Sequence, residues 1–415
     1  MRWIKPSRID GRASAPPSKS MMLRAVAAAV LAKDETVIRN PSFCADALAG
    51  LGIAKSLGRR VRRETRIVRI GSGGAPAGGT LACGESGLCM RMFAPIAALS
   101  GRPFVLEGAG SLLGRPMAFM EAPLRRLGAV CRTTNGGPPV RISGPLRGGR
   151  SSIDGSLSSQ FLTGLLMALP FCSGDSDIRV KDIKSRPYAA MTLAFLRSFG
   201  LAIEAGESLE RIKIGGGQRF RKIDYTVEGD WSGGAFLLVA GALAGRVTVG
   251  RLSPDSLQPD RRILEALALA GARIAWEGNR VVVERDRLAG FDFDATDCPD
   301  LFPPLAALAC HCEGRTRIFG ADRLAHKESD RARALISEFS KAGAKIAVRG
   351  NRLEIRGGPL RAASFDSHGD HRIAMAGAVA ALTSREGLRI EGGGCVAKSY
   401  PRFFRDLKTI GGQIT

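Results

Sequence analysis

The sequence predicts an α/β fold made of six units of about 70 residues, three to a domain. Three observations predict it. Six stretches join a small-polar cluster to a run of mostly apolar residues. A short β-like run follows each of them. An amphipathic segment ending in Gly follows that.

The six stretches, in order, are "PPSKSMMLRAVAAAVLA", "GESGLCMRMFAPIAALSG", "GSLSSQFLTGLLMALPFC", "GDWSGGAFLLVAGALAG", "CPDLFPPLAALACHCEG" and "SHGDHRIAMAGAVAALTS". They begin near residues 16, 84, 156, 230, 297 and 367, so successive steps run from 67 to 74 residues. A helix that is apolar all round is a buried helix. The β-like runs are "TVIRNP", "RPFVLEG", "DIRVKD", "RVTVGR", "RTRIFG" and "LRIEGG". Next come "ADALAGLGIAKSLG", "FMEAPLRRLGA", "YAAMTLAFLRSFG", "PDRRILEALALAGA", "SDRARALISEFSKAGA" and "YPRFFRDLKTIGG". Apolar spacing of three and four with a closing Gly reads as a C-capped helix. Further strands such as "RIVRI" and "RVVVER" fill most units. The last helix is read as having no strand after it, and "RWIKPSRIDG" is expected to supply one, tying the chain ends together. Three units to a domain gives a first domain at 14–227 and a second at 1–13 plus 228–415, with a hinge near 13–18 and 225–230.

Composition narrows the function. The 415 residues are 45% hydrophobic and 24% charged, the balance of a soluble globular protein. No uncharged apolar run reaches about 18 residues, which argues against a membrane span. The N-terminal segment lacks an apolar signal core, so a cytoplasmic protein is expected. The nine cysteines are scattered and read as reduced core residues. "CHC" at 310–312 is not read as a metal site, because its neighbours point in different directions on a helix. The net charge of +22 attracts anions: nucleic acid, anionic membrane or phosphorylated metabolites. Three Trp, three Tyr and no RNP, zinc-finger or KH signature argue against nucleic acid. "GSGGAP" and "GGGQRF" fit neither a Walker A loop nor G-x-G-x-x-G and read as turns.

Function is expected at the helix fronts. A buried helix N-terminus carries unpaired N–H groups and a partial positive charge. It is therefore an anion site. Ordinary capping accounts for Ser232 and Ser86, but not for Lys19, Gln160 or His371–Arg372. Lys19, Ser20 and Arg24 put two cations near one face, suited to a phosphate and a carboxylate. "SSQ" at 158–160 offers two hydroxyls and an amide as neutral phosphate ligands. "HKESDR" at 326–331 puts Lys327, Glu328, Asp330 and Arg331 at the start of an exposed helix. Three fronts per domain, aimed into one cleft, make an electropositive slot.

The stretches "PPSKSMMLRA", "GRPM", "SSQFLTGLLMA", "SRPYAAMT", "VEGD", "KESDR", "GDHRIAMA" and "AKSYPRFF" run from residue 16 to 404. In that order they resemble the enolpyruvyl transferase family, most closely its branch that acts on shikimate 3-phosphate. The resemblance implies two similar inside-out α/β domains, each of three βαβαββ units. It implies a reaction of phosphoenolpyruvate with shikimate 3-phosphate, giving an enolpyruvyl ether and phosphate. It implies a monomer with two small-molecule substrates, no nucleic acid or membrane partner, no metal and no organic cofactor. The weighed alternatives are another phosphorylated acceptor, RNA ends, or a homologue that binds without turnover.

Carried over by motif, Lys19 touches both ligands. Ser20 and Arg24 hold shikimate 3-phosphate, with its carboxylate on the arginine. Ser158, Ser159 and Ser185 take its phosphate, Gln160 bridges the ligands and Tyr188 lines the ring. Lys327 and Asp300 meet its hydroxyls. Gly87, Arg115, Gln160 and Lys398 receive the phosphoenolpyruvate phosphate, while Arg331 and Arg372 clamp its carboxylate. Asp300 resembles the general base and Glu328 the group that moves a proton at the methylene, with Lys19 as an acid. Cations lower the pKa of Asp300 and desolvation raises it; the sequence leaves the balance open. The chain departs from the family at "GESGLCMR", where Glu85, Leu88 and Cys89 replace an amide and small residues. Glu85 is expected to repel an incoming phosphate unless Arg91 or another cation pairs with it, which bears on glyphosate response too. Arg323 aligns loosely before "KES", and Trp231 stands where a small residue is usual.

Overall fold

The computed structural model describes residues 1–325 and 327–415. Two compact units emerge: Lys19–Val227, here the first unit, and Met1–Ser18 with Glu228–Thr415, the second.

The first unit holds α1 (Lys19–Leu31) and α2 (Ala45–Ser56), α3 (Gly87–Ala97) and α4 (Glu121–Arg126), α5 (Gln160–Ala168) and α6 (Arg186–Ser198). The second holds α7 (Trp231–Ala244) and α8 (Ile263–Leu269), α9 (Phe302–Ala309) and α10 (Arg331–Lys341), α11 (His371–Ala381) and α12 (Phe403–Thr409). Odd-numbered helices are the buried ones; every residue of α3, α7, α9 and α11 is buried. Even-numbered helices keep a polar face in water.

Among the described residues, six four-stranded sheets accompany these helices. Each repeats one plan: strand, buried helix, parallel strand, amphipathic helix, antiparallel pair. In the middle module of the first unit, Gly79–Ala82 pairs in parallel with Phe104–Glu107, and Gly137–Ser143 runs antiparallel between Phe104–Glu107 and Val130–Thr134. A parallel neighbour needs a crossover, and the buried helix is that crossover. Strands alternate buried and solvent-facing residues, as at Ser176–Lys181, so each sheet turns one face to its helices. The helix-inside, sheet-outside arrangement follows from helices apolar all round.

Three modules borrow strands. Asp224–Thr226, at the end of the first unit, pairs in parallel with Thr36–Arg39 of its first module. Ile9–Ser14 pairs in parallel with Gly245–Gly250. Arg2–Lys5 lies between Leu388–Glu391 and Gln413–Ile414. This corrects the expectation that no strand follows the last helix: a two-residue strand does, and the N-terminal segment supplies two strands to two sheets.

Close approach of α3 and α5 depends on Gly164, where a Cβ would lie 2.7 Å from the carbonyl oxygen of Arg91 and 2.8 Å from Cα of Met92. Trp231 is fully buried as the first residue of α7 and packs edge-on against Trp276. Eight of the nine cysteines are buried and Cys395 is half-buried.

Candidate active site

In the first unit, α1 begins at Lys19, whose Nζ pairs with Asp46 Oδ2 at 3.1 Å. Asp46 sits in the first turn of α2. Arg24, one turn into α1, is buried. Its Nε donates to Thr192 Oγ1 at 2.9 Å, Nη1 to the Ser20 carbonyl at 2.9 Å, and Nη2 to the Tyr188 carbonyl at 3.0 Å and Thr163 Oγ1 at 3.4 Å. Arg24 thus ties α1 to α5 and α6. Burial pulls its pKa down to about 10, which leaves it cationic at neutral pH. Ser185, buried just before α6, has φ of 54°, in the left-handed region that few non-glycine residues adopt.

The fronts of α3 and α5 meet. Ser86 caps α3, its Oγ accepting from the Cys89 N–H at 3.3 Å. Gly87 follows as the first helical residue, and a Cβ there would lie 2.9 Å from Arg115 Nη1, 3.4 Å from Gln160 Oε1 and 3.6 Å from Arg91 Nη1. A space left clear by glycine is therefore ringed by two guanidinium groups and an amide at a helix N-terminus, the chemistry of a phosphate cradle. Arg91 Nη1 donates to Gln160 Oε1 at 2.9 Å and fixes that ring. Ser158 Oγ accepts from the Gln160 N–H at 3.2 Å, and Ser159 is buried beside it. Glu85 turns onto the Gly110–Leu112 segment, where its Oε2 accepts from the Ser111 N–H at 3.2 Å and hydroxyl at 2.8 Å. Leu88 and Cys89 are buried in the packing of α3. The substituted motif is thus absorbed largely as turn and core.

In the second unit, Asp300 lies in the single turn Pro299–Leu301 ahead of α9. Its Oδ1 accepts from Arg331 Nη1 at 2.7 Å and its Oδ2 from Arg372 Nη2 at 2.8 Å. Arg331 is almost fully buried and also reaches Asp370 through Nε at 2.8 Å and Glu328 through Nη2 at 2.6 Å. Asp370 caps α11 by accepting from the Arg372 N–H at 2.9 Å. Arg372 Nε and Nη1 are buried and find no acceptor among the described residues. Burial alone raises the Asp300 pKa, but Arg372, Arg331 and Lys327 override it and hold the carboxyl far below the usual range. The balance that the sequence leaves open falls to the cations. Burial pulls the Lys327 ammonium down to about 8, against the opposing charge of Asp300.

Several expectations need correction. The helix expected to open with Lys327 and Glu328 begins at Arg331, with Asp330 as its cap through the Arg333 N–H at 3.1 Å. Lys327 and Glu328 precede it, and Arg331 is buried, so this is no exposed helix front. His326, the first residue of that motif, lies outside the described residues. The cap of α7 is Asp230, which accepts from the N–H groups of Ser232 and Gly233; Ser232 itself is not the cap.

The first unit brings Ser20, Arg24 and Tyr188 to one network and Gly87, Arg115 and Gln160 to another, while Lys19 pairs with Asp46. The second unit gathers Asp300, Lys327, Glu328, Arg331 and Arg372. Lys398 is buried in the second unit at the end of Gly393–Lys398, and Arg323 is buried in Ala321–Leu324. Sequence reasoning assigned no role to Asp46, Thr163, Thr192 or Asp370, and saw Arg91 only as a partner for Glu85. Arg91 stands four residues after Gly87, on the same helix face, which is the signal that was available. Among the described residues no cluster of three or more His, Cys, Asp or Glu could hold a metal ion.

Comparison with known proteins gives one answer. The profile of the family "EPSP synthase (3-phosphoshikimate 1-carboxyvinyltransferase)" matches residues 4–407. A 3-phosphoshikimate 1-carboxyvinyltransferase of Aeropyrum pernix is 39% identical over 412 residues, covering 99% of this chain and 96% of the relative. One of Methanocella arvoryzae is 40% identical over 420 residues, covering 99% of each. The solved EPSP synthase of Acinetobacter baumannii superposes with a TM-score of 0.83 at 25% identity, covering 100% of this chain and 99% of the other.

Proposed function

The chain belongs to the EPSP synthase family, and we infer that it transfers the enolpyruvyl group of phosphoenolpyruvate to the 5-hydroxyl of shikimate 3-phosphate, releasing phosphate. That reaction is a step of the shikimate pathway to aromatic amino acids.

In this reading the first unit is the shikimate 3-phosphate side. Lys19, Ser20 and Arg24 carry the acceptor's anionic groups, Ser158, Ser159 and Ser185 its phosphate, Gln160 reaches both substrates and Tyr188 lines the ring. The cradle of Gly87, Arg115 and Gln160 takes the phosphoenolpyruvate phosphate, a role that the family resemblance also gives to Lys398. The second unit is the catalytic side. Asp300 and Lys327 meet the acceptor hydroxyls, and Arg331 and Arg372 take the phosphoenolpyruvate carboxylate.

The chemistry uses these groups in sequence. The 5-hydroxyl oxygen attacks C2 of phosphoenolpyruvate while Asp300 takes its proton. The methylene carbon gains a proton from Lys19 or Glu328. The C–O bond to phosphate then breaks as a proton leaves the new methyl group to Glu328 and the double bond re-forms. Proton transfer of this kind is worth about 10²–10⁴-fold. Fixed cations facing the departing phosphate add electrostatic stabilisation that needs no reorganisation.

The observation that carries the reading is the pair Arg331–Arg372: two buried guanidinium groups on one carboxylate, with two further nitrogens of Arg372 unsatisfied among the described residues. Buried donors without acceptors mark an anion site. The protein is read as a cytoplasmic monomer that uses no metal or organic cofactor. Among the described residues no helix is long and apolar enough to cross a membrane.

The test is phosphate release from phosphoenolpyruvate in the presence of shikimate 3-phosphate. Wild type should release it, and Asp300→Asn should be slower by about 10²–10⁴-fold. Absence of phosphate release from folded wild type with both substrates defeats the reading.

A further inference from the structure

Arg331 and Arg372 hold a carboxylate before any substrate arrives. Asp300 bridges them, one oxygen to each guanidinium, at 2.7 and 2.8 Å. That is the geometry with which a ligand carboxylate bridges two arginines. The three nitrogens of Arg331 each face a carboxylate: Asp370, Asp300 and Glu328. The clamp is therefore only half open, through Nε and Nη1 of Arg372.

Charge sharpens the point. Lys327, Arg331 and Arg372 stand against Asp300, Glu328 and Asp370, three cations to three anions, with Asp230 and Asp260 further off acting on Arg372 and Arg323 acting on Lys327. A fourth carboxylate unbalances the cluster unless one of the three leaves or takes up a proton. Exposure identifies which one yields. The side chain of Asp300 is 25% exposed, that of Glu328 12% and that of Asp370 0%. Asp370 is also held as the cap of α11, whereas Asp300 rests on a single turn.

We propose that Asp300 is a resident stand-in for the substrate carboxylate, and that phosphoenolpyruvate displaces it from Arg331 and Arg372 as it binds. The inference rests on the reading that these arginines take that carboxylate. Its consequence is ordered chemistry. While gripped by two guanidinium groups, Asp300 is a poor proton acceptor. Released, it becomes a competent one, at the moment the carbon to be attacked is in place. No proton is taken from the acceptor hydroxyl before then.

The proposal makes a counter-intuitive demand: removing the base should tighten substrate binding. Phosphoenolpyruvate binding is measured by calorimetry, without shikimate 3-phosphate, on wild type, Asp300→Asn and Asp300→Ala. The variants should bind on the order of ten-fold more tightly, the scale of one lost competing charge-assisted contact. Inorganic phosphate, which has no carboxylate, should bind all three alike. Asp297→Asn removes a charge that acts on Arg323 rather than on Arg331 or Arg372 and should leave phosphoenolpyruvate affinity within about two-fold.

Equal or weaker binding by folded Asp300 variants, or equal tightening by Asp297→Asn, overturns the inference while leaving the proposed reaction standing. Wild type that binds no phosphoenolpyruvate either alone or with shikimate 3-phosphate present overturns both. Should neither Asp300 variant fold, carboxyl ¹³C spectra of aspartate-labelled wild type decide. Adding phosphoenolpyruvate should move one aspartate from very acidic to ordinary titration, and no such change rules the displacement out.

Discussion

Arg24 Nε donates to Thr192 Oγ1 at 2.9 Å, and among the described residues each other contact of that guanidinium is to a neutral oxygen. A buried cation without a carboxylate partner is costly unless a ligand supplies the charge. Arg24→Lys keeps the charge but cannot reach Thr163, Thr192 and Tyr188 together from one flexible ammonium. The KM for shikimate 3-phosphate should rise by about 10–100-fold, the scale of a charge-assisted contact, with the KM for phosphoenolpyruvate changing less. Steady-state kinetics with each substrate varied in turn separates the two.

Gly87→Ala places a methyl group 2.9 Å from Arg115 Nη1. Arg115 must move, and the cradle shrinks by one carbon. The KM for phosphoenolpyruvate should rise by about ten-fold, a step of about 1.4 kcal/mol, while thermal unfolding stays within a few degrees of wild type. An unchanged KM would show that the phosphate sits elsewhere.

Lys327 titrates at about 8 because burial opposes its charge. As pH rises through that value the ammonium is lost, together with its hold on acceptor oxygens and its support of the cluster. The profile of kcat/KM should therefore fall on a basic limb near pH 8. In Lys327→Arg that limb should move up beyond pH 10, since guanidinium stays protonated. A profile flat from pH 7 to 9 in wild type contradicts the assignment.

Glu338, fully buried on α10, accepts from Lys341 Nζ, from His368 Nε2 at 2.8 Å and from the Asp366 N–H at 2.8 Å. Burial raises its pKa, but these donors more than offset it and hold the carboxyl below its ordinary value. A depressed carboxyl contributes stability above the unfolded-state value near 4.5 and loses it as pH falls through the folded one. Glu338→Gln should cost about 2 kcal/mol at neutral pH, the worth of hydrogen bonds to a charged group. The gap from wild type should narrow below pH 4.5, as denaturant unfolding at several pH values would show.

The repeat was legible because buried helices leave a plain mark: Trp231–Ala244 holds no charged residue, and its relatives recur at a near-constant step. Strand exchange was less legible. Ile9–Ser14 looks like any short strand, and nothing local says that its parallel neighbour is Gly245–Gly250. Around the site, Lys19, Gln160 and Arg372 stood out as polar residues at apolar helix fronts. Asp46 did not, since an acid in the first turn of an amphipathic helix has an ordinary reason to be there. The direction of Glu85 was out of reach as well. Its partner Ser111 lies 26 positions away, and only the folded turn brings a hydroxyl and an N–H to one carboxylate oxygen.

The interleaved terminal strands bear on how this chain can be cut. The Trp3 N–H donates to the Thr415 carbonyl at 2.9 Å, and the Thr415 N–H returns the bond to Trp3 at 3.0 Å. Residues 3 and 415 are thus paired neighbours in the sixth module. A short linker joining residues 1 and 415, with new ends opened at the exposed turn Glu207–Ser208, should yield a circular permutant that still folds. Deleting the first fourteen residues, by contrast, strips an inner strand from one sheet and an edge strand from another, and should leave α11 and α7 less enclosed.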